Sequence, residues 1–366
     1  MPKETCYIDR TALEHFCTQV FITLGLSEEE AVHSSEILVS ADARGIASHG
    51  VARLWRYENG LRLGIMSGGI QPTVLRETPI SLVLDANGAM GMSLSRKTMD
   101  RVIEKAKVSG AGFASIRNSN HFGIAGYYSE MAARNDMIGI SMTNTAALGV
   151  PTFGAAAMFG TNPIAVALPG HGKYLFSLDM STTTVTRGKI EVYNREGLSL
   201  PSGWAVDPRG VVTSDAAQLL DDMLFQRGGG LLPLGGAGEE LGGHKGYGLA
   251  VLVDMMTAIL SGGTFGKSVK DSEATSARVC HFFGAIRLDL FRDPDELKND
   301  VDALLSELNE TPVAEGQDRV LWAGQKEQEA EARANLEGVP LSMNVVSQLR
   351  TIGKDLGIAF PRLLSK

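Results

Sequence analysis

Apolar positions in the first 45 residues recur at helical spacing. Leu13, Phe16, Val20, Phe21 and Leu24 share one face, and Gly25 supplies a stop. Ser27 followed by Glu30 reads as a capping box that opens a second helix, with Ala31, Val32, Ile37, Leu38 and Ala41 on one side and an end near Arg44-Gly45. Ser48 and His49 then fall in the loop beyond that helix, a common position for catalytic groups. From Ile80 the pattern changes to short β-type runs at Ile80–Leu84, Gly112–Ile116, Met137–Met142, Pro163–Leu168 and Tyr174–Leu178. Helical stretches at Ser95–Val108 and Ile124–Arg134 lie between them, so an α/β or α+β domain begins after the Gly/Pro-rich connector Gly64–Pro72. The pattern leaves the direction of its strands open.

Residues Val185–Gly243 are rich in Gly, Pro and Asp, and are expected to wrap over a site as long loops. His244–Leu260 is apolar nearly all round and reads as a helix buried on most sides. Asp293–Leu308 is a charged helix, and Met343–Gly357 is an amphipathic one. The expected organisation is a helical segment over 1–75, a cofactor-type α/β domain over 76–245, and a helical segment over 246–366 that packs with the first.

Composition narrows the partners. A chain of 366 residues, 44% hydrophobic and 21% charged, is globular and long enough for two domains. A net charge of -8 without a sustained Lys/Arg run argues against nucleic acid or an anionic membrane as the main partner. Three cysteines (Cys6, Cys17, Cys280) without paired spacing suit a reducing compartment and form neither a disulfide framework nor a CxxC zinc site. Met1–Arg10 lacks the apolar region of a signal peptide, and Leu249–Leu260 is roughly a third short of a membrane span and contains Asp254. A cytoplasmic protein is the expectation.

Candidate chemistry starts with absences. No GxGxxG follows a strand run, and Gly262–Ser268 (GGTFGKS) lacks P-loop spacing. His15 and His33 lie within helices and His171 in a Gly-rich turn, and no two of the seven histidines have metal-site spacing. His49 is different: Ser48 is beside it and Arg53 four residues on. An imidazole that exchanges a proton with a hydroxyl or carbonyl oxygen, next to a guanidinium that grips a carboxylate through two parallel bonds, suits a small acid substrate. A surface histidine beside an unrelated arginine would give the same pattern. Asn118–Gly126 links strand to helix with amides able to bind phosphate, and His121 within it could line a reaction centre, or the stretch is an ordinary capped turn. Gly160–Pro163 and Asp179–Thr183, followed by Arg187-Gly188-Lys189, are either ligand-binding hydroxyl and amide groups or turn residues.

In their order, SHGVARLWRY (48–57), SNHFGIAGYY (119–128), FGTNPIAVALP (159–169), LDMSTTTVTRGKI (178–190), LPSGWAVD (200–207), LPLGG (232–236) and GGHKGYGLAV (242–251) resemble the type-2 malate/L-lactate dehydrogenase family. That family also holds ureidoglycolate and sulfolactate dehydrogenases, a 2,3-diketogulonate reductase and a cyclic-imine reductase. The resemblance runs over about residues 10–360 and implies a non-Rossmann α/β fold with a central mixed sheet, which binds NAD(P) and accounts for the missing fingerprint. It implies His49 as proton donor and acceptor with Ser48 in a relay, and Arg53 on the substrate carboxylate. His121 is the catalytic base in some members and a cofactor contact in others, alongside Phe122 and Gly123. Thr145, Asp179, Met180, Ser181 and Lys245 take cofactor positions, and Thr161, Arg187 and Gly188 take substrate positions. A late cofactor turn matches Ala323–Lys326 only loosely. The implied reaction is reversible hydride transfer between NAD or NADP, with NAD favoured, and a 2-hydroxy/2-oxo acid such as malate/oxaloacetate. Lactate, sulfolactate, ureidoglycolate or a cyclic imino acid are alternatives, as is a binding module without turnover. The family resemblance also implies a homodimer, and the histidine spacing gives no reason to expect a metal.

Overall fold

Capping chemistry fixes where the first helices begin. In the computed structural model, which describes residues 5–270 and 276–364, a short strand β1 (Thr5–Ile8) leads to α1 (Arg10–Thr23), capped by Asp9. α2 (Glu28–Ala43) opens on a complete capping box, in which Ser27 accepts the Glu30 N–H and the Glu30 carboxylate accepts the Ser27 N–H. A 3-10 turn, Val51–Arg53, runs directly into α3 (Leu54–Arg62). The hydrophobic pattern missed α3 because it is mostly polar and buries only Leu54, Tyr57 and Gly60.

After the connector come β2 (Thr73–Glu77), β3 (Ser81–Asp85), α4 (Gly91–Ser109), β4 (Ala111–Ser119), α5 (Ala125–Ala133), β5 (Met137–Thr143), β6 (Ile164–Leu168) and β7 (Phe176–Met180). Every strand and helix expected between residues 80 and 178 is present, to within a few residues at the ends.

The next stretch departs from expectation. Residues 185–243 are not simply long loops: they hold α6 (Arg187–Glu196), β8 (Ala205–Val206), α7 (Ala216–Leu224) and β9 (Gly230–Leu231). These pack on a small core of Ile190, Leu200, Ala205, Ala216, Leu219 and Leu231. With Ile190 as its only buried residue, α6 carries almost no periodic signal. α8 (Gly243–Asp254) continues through a π-helical turn, Met255–Ile259. It is not buried on most sides: Leu252, Met255, Ile259 and Leu260 are exposed, because only the face carrying Leu249, Val253 and Met256 packs on the sheet.

The last third of the chain, expected to be helical, also supplies a strand. β10 (Val279–Arg287) precedes α9 (Pro294–Glu310), α10 (Gln325–Glu337), β11 (Val339–Ser342) and α11 (Met343–Leu356). β10 is the middle of a seven-stranded mixed sheet of order β2-β3-β4-β10-β5-β6-β7, antiparallel throughout except for the β3–β4 pair. It is buried on both faces, so it lacks the alternation that betrays a half-exposed strand. Phe283 and Ala285 join the large core shared with α4 and α5, while Phe282 packs with Val253 of α8 on the opposite face.

The chain's two ends close together. β1 pairs antiparallel with β11, Ile8 opposite Val339, and Phe16, Phe21, Leu38, Tyr57, Val346 and Leu349 bury in one core that is continuous with the sheet. Each such side chain contributes about 1.5–3 kcal/mol on burial. Polar cross-links run through the same region: Arg44 grips Glu130 through two bonds of 2.7 and 2.8 Å and Glu331 at 3.0 Å, and Ser177 donates to Glu130 at 2.8 Å. No helix among the described residues is long and apolar enough to cross a membrane.

Candidate active site

A cleft of about 550 Å³ lies between the helical layer and the ends of β4, β5 and β10. Ser48, His49, Arg53 and Arg56 line one wall, and Ser119–Gly123 with Thr143–Ala146 line the other. Thr161, Thr186, Arg187, Gly188 and Glu191 also reach it, so the start of α6 closes the cleft from the small lobe. The cleft therefore gathers Ser48, His49, Arg53, His121, Phe122, Gly123, Thr145, Thr161, Arg187 and Gly188 from separate sequence motifs. Asp179, Met180, Ser181 and Lys245 are not part of its lining. Asp179 instead accepts the Gly126 N–H in the first turn of α5 at 2.7 Å, Ser181 turns back onto the Thr183 carbonyl, and Lys245 is exposed on α8. Gly324, in the loosely matched turn, packs against Ser177 of β7 away from the cleft.

The helical wall is held from beneath by Asp42. This buried side chain accepts the Val51 N–H at 2.6 Å, and a Cβ at Gly50 would stand 2.1 Å from its carboxylate oxygen. Gly50 is thus required by close approach. Burial with a single amide partner pushes the Asp42 carboxyl up to about 7. Above this anchor, Ser48 Oγ lies 2.8 Å from His49 Nδ1, and Arg53 Nε donates to the Ser48 carbonyl at 2.7 Å. Desolvation, with Arg53 adding to it, pushes the His49 imidazole down to about 4, so it is neutral near pH 7.

The sheet wall is organised by two histidines. His121 stacks on His49 with ring centroids 5.5 Å apart and planes inclined by 22°. Its Nδ1 meets Tyr57 Oη at 2.6 Å and the Gly123 N–H at 3.3 Å, and Gly123 closes the turn at φ 88. Burial, then the neighbouring His49, Arg56 and Arg53, hold His121 well below the ordinary histidine range. Behind the wall, fully buried His281 bridges the strands: Nδ1 lies 2.8 Å from Thr143 Oγ1 and Nε2 2.9 Å from Ser119 Oγ. Its ring lies parallel to Phe122, 4.5 Å away, and burial pushes it down to about 3.

The sequence pattern did not single out Asp42, Tyr57, Asn120 or His281. Two of them left a signal, since Asp42 is in helical register with Leu38 and Tyr57 with Leu54, each on an apolar face. His281 left none, being inside a strand without alternation.

Whether the wall suits a nicotinamide can be judged from its own polar atoms. Asn120 donates from Nδ2 to the Gly88 and Ala89 carbonyls at 2.6 and 2.9 Å, and its buried Oδ1 has no partner among the described residues. An unpaired buried acceptor beside Ser119, Thr143 and Asn144 fits a ligand that carries an amide donor. No cluster of three or more metal-type side chains occurs among the described residues.

The α/β fold carries one cleft that brings His49, His121, Arg53 and Arg187 together, and sequence relationships give the family. Residues 8–350 match the malate/L-lactate dehydrogenase family. The chain is 42% identical to malate dehydrogenase from Pyrococcus abyssi over 356 residues, covering 96% of this chain and 95% of that one. It is 38% identical to L-sulfolactate dehydrogenase from Methanocaldococcus jannaschii, covering 91% and 92%. The crystal structure of malate dehydrogenase from Entamoeba histolytica superposes with a TM-score of 0.94 at 32% identity, covering 98% of this chain and all of that one. The chain belongs to the malate/L-lactate dehydrogenase family and is an oxidoreductase acting on a hydroxy acid, with the nicotinamide cofactor that such a dehydrogenase implies.

Proposed function

We propose that this protein interconverts malate and oxaloacetate, with His49 as the proton carrier, Arg53 on the C1 carboxylate and NAD, ahead of NADP, as the cofactor. The observation that carries this reading is the convergence of a neutral His49, Arg53 and Arg187 on one cleft. Arg53 Nε is taken by the Ser48 carbonyl, and its two terminal nitrogens have no protein partner among the described residues; they form the fork that a carboxylate needs. Arg187, from the other side of the cleft, is paired through Nε with Glu191 at 3.0 Å and has its terminal nitrogens to offer a second anionic group, which favours a dicarboxylate over lactate.

In the direction of oxidation, neutral His49 takes the proton of the C2 hydroxyl as that carbon becomes a carbonyl, and Ser48 orients the imidazole through Nδ1. In reduction His49 returns the proton to the same oxygen. Ser119, Asn120, Phe122, Gly123 and Thr145 are assigned to the cofactor face, and Thr161 and Gly188 to the substrate end. A bound nicotinamide supplies the hydride acceptor in one direction and the donor in the other. The protein's contribution is alignment: Arg53 fixes the acid while the stacked histidines define which face of C2 is presented.

The same reading includes a homodimer in the cytoplasm. Leu252, Met255, Ile259 and Leu260 offer apolar surface for a second copy, and Cys6, Cys17 and Cys280 are all free thiols. Sedimentation equilibrium reads the oligomer directly. The activity is tested by following NADH and NADPH oxidation with oxaloacetate, sulfopyruvate, pyruvate and piperideine-2-carboxylate. The expected result is the highest kcat/KM for oxaloacetate with NADH, and a preference for pyruvate or for the cyclic imine would overturn the assignment.

A further inference from the structure

His49 and His121 stack face to face, and either imidazole could in principle move the proton. The hydrogen bonds around His121 separate them. The Gly123 amide reaches His121 Nδ1 at 3.3 Å, and a backbone N–H can only donate, so Nδ1 must present its lone pair. Tyr57 Oη reaches the same nitrogen at 2.6 Å from a side chain that is fully buried and packed edge-on against Phe21. Burial raises the Tyr57 phenol to about 12, so its proton is available to donate. With Nδ1 an acceptor, the single proton of the neutral ring is on Nε2.

We propose that Tyr57 is a positioning residue that locks His121 in the Nε2–H tautomer, making His121 a neutral hydrogen-bond donor to the substrate's C2 oxygen and leaving proton transfer to His49. A second proton on His121 would place an Nδ1–H against the Gly123 N–H, inside a shell whose charged and titratable members, His49, Arg53, Arg56 and His281, all oppose added positive charge. His121 Nε2 has no partner among the described residues, and His121 lines the cleft, so its N–H is available to a ligand there. A neutral imidazole stabilises oxygen charge as it develops without giving up its proton. His49 lacks this lock: its Nδ1 faces a serine hydroxyl, which can donate or accept, so that ring is free to change protonation state.

The inference rests on the reading of the cleft given above, but its first test needs no turnover. In ligand-free protein with 15N-labelled histidine near pH 7, long-range 1H–15N correlation should show one ring with an unprotonated Nδ1 and a protonated Nε2, and this signal should vanish in His121→Gln. An Nδ1–H tautomer or an imidazolium at His121 would overturn the proposal. Tyr57→Phe keeps the packed ring and removes only the hydroxyl. It should let the His121 tautomers mix and lower kcat by about tenfold, the loss expected for one hydrogen bond, with little change in KM. An unchanged tautomer and unchanged kcat in that variant would also overturn it. His121→Gln keeps an N–H donor and should retain much more activity than His121→Ala, whereas equal loss in both would identify His121 as a proton carrier. If the tautomer is as expected but no 2-oxo acid is turned over, the proposed function fails and the lock stands.

Discussion

One wall of the cleft comes from a single run of sequence, Ser48 to Arg56, while the opposite wall is assembled from the ends of β4, β5 and β10, with β4 and β10 more than 150 residues apart. The helical wall carries His49, on a loop pinned at its base by Asp42. The sheet wall carries His121, held at Nδ1 by Tyr57 and Gly123, and behind it His281, held at both ring nitrogens by Thr143 and Ser119. On the proposed reading this is a division of labour within the stacked pair: His49 sits where its serine partner can switch direction, and His121 sits where the Gly123 amide can only donate.

The sharpest way to break this contrast is His49→Ala, which should lower kcat for oxaloacetate reduction by about a thousandfold, within the range for loss of a general acid–base, as read by steady-state kinetics. Retention of wild-type turnover would remove the helical wall's role. Asp42→Asn probes its anchor through stability. The folded carboxyl titrates near 7 and the unfolded one near 3.8, so between these values the folded state binds the extra proton. Stability from this group therefore falls as pH rises from about 4 to 7 and stays low above it, by up to about 4 kcal/mol. Urea melts at acid and alkaline pH should show that slope in the wild type and lose it in Asp42→Asn. Gly50→Ala forces a Cβ into the Asp42 carboxylate and should shift the His49 loop enough to reduce kcat/KM about a hundredfold, with the sheet wall undisturbed. The smallest effect is expected behind the sheet wall. His281→Phe keeps the stack on Phe122 but releases Ser119 and Thr143, and KM for NADH should rise about tenfold while kcat holds. A fall in kcat without a change in KM would move His281 from holding the wall to assisting the reaction.

The same contrast explains what could be seen in the sequence. The helical wall was legible because His49, Ser48 and Arg53 are neighbours in the chain and the capping box at Ser27 fixed the helix before them. The strands from β3 to β7 were legible because short apolar runs alternate with helical ones. β10 was not, because a strand buried on both faces has no period to detect, and with it went His281. The lobe at 185–243 hides its helices from the sequence pattern because α6 buries a single residue, Ile190. Tyr57 ends the SHGVARLWRY motif, yet its proposed role depends on a pairing with His121 sixty-four residues away. Such pairings are set by the fold as a whole.

The central claim is that His49, and not its stacked neighbour, moves the proton. The most direct measurement is kcat/KM for malate oxidation against pH in wild type and in His121→Gln. Oxidation needs neutral His49, so activity should fall only as pH drops well below 6.5 toward His49's lowered value of about 4. The account predicts the same acid limb, at the same pH, in both proteins. A limb that disappears or shifts in His121→Gln would contradict it.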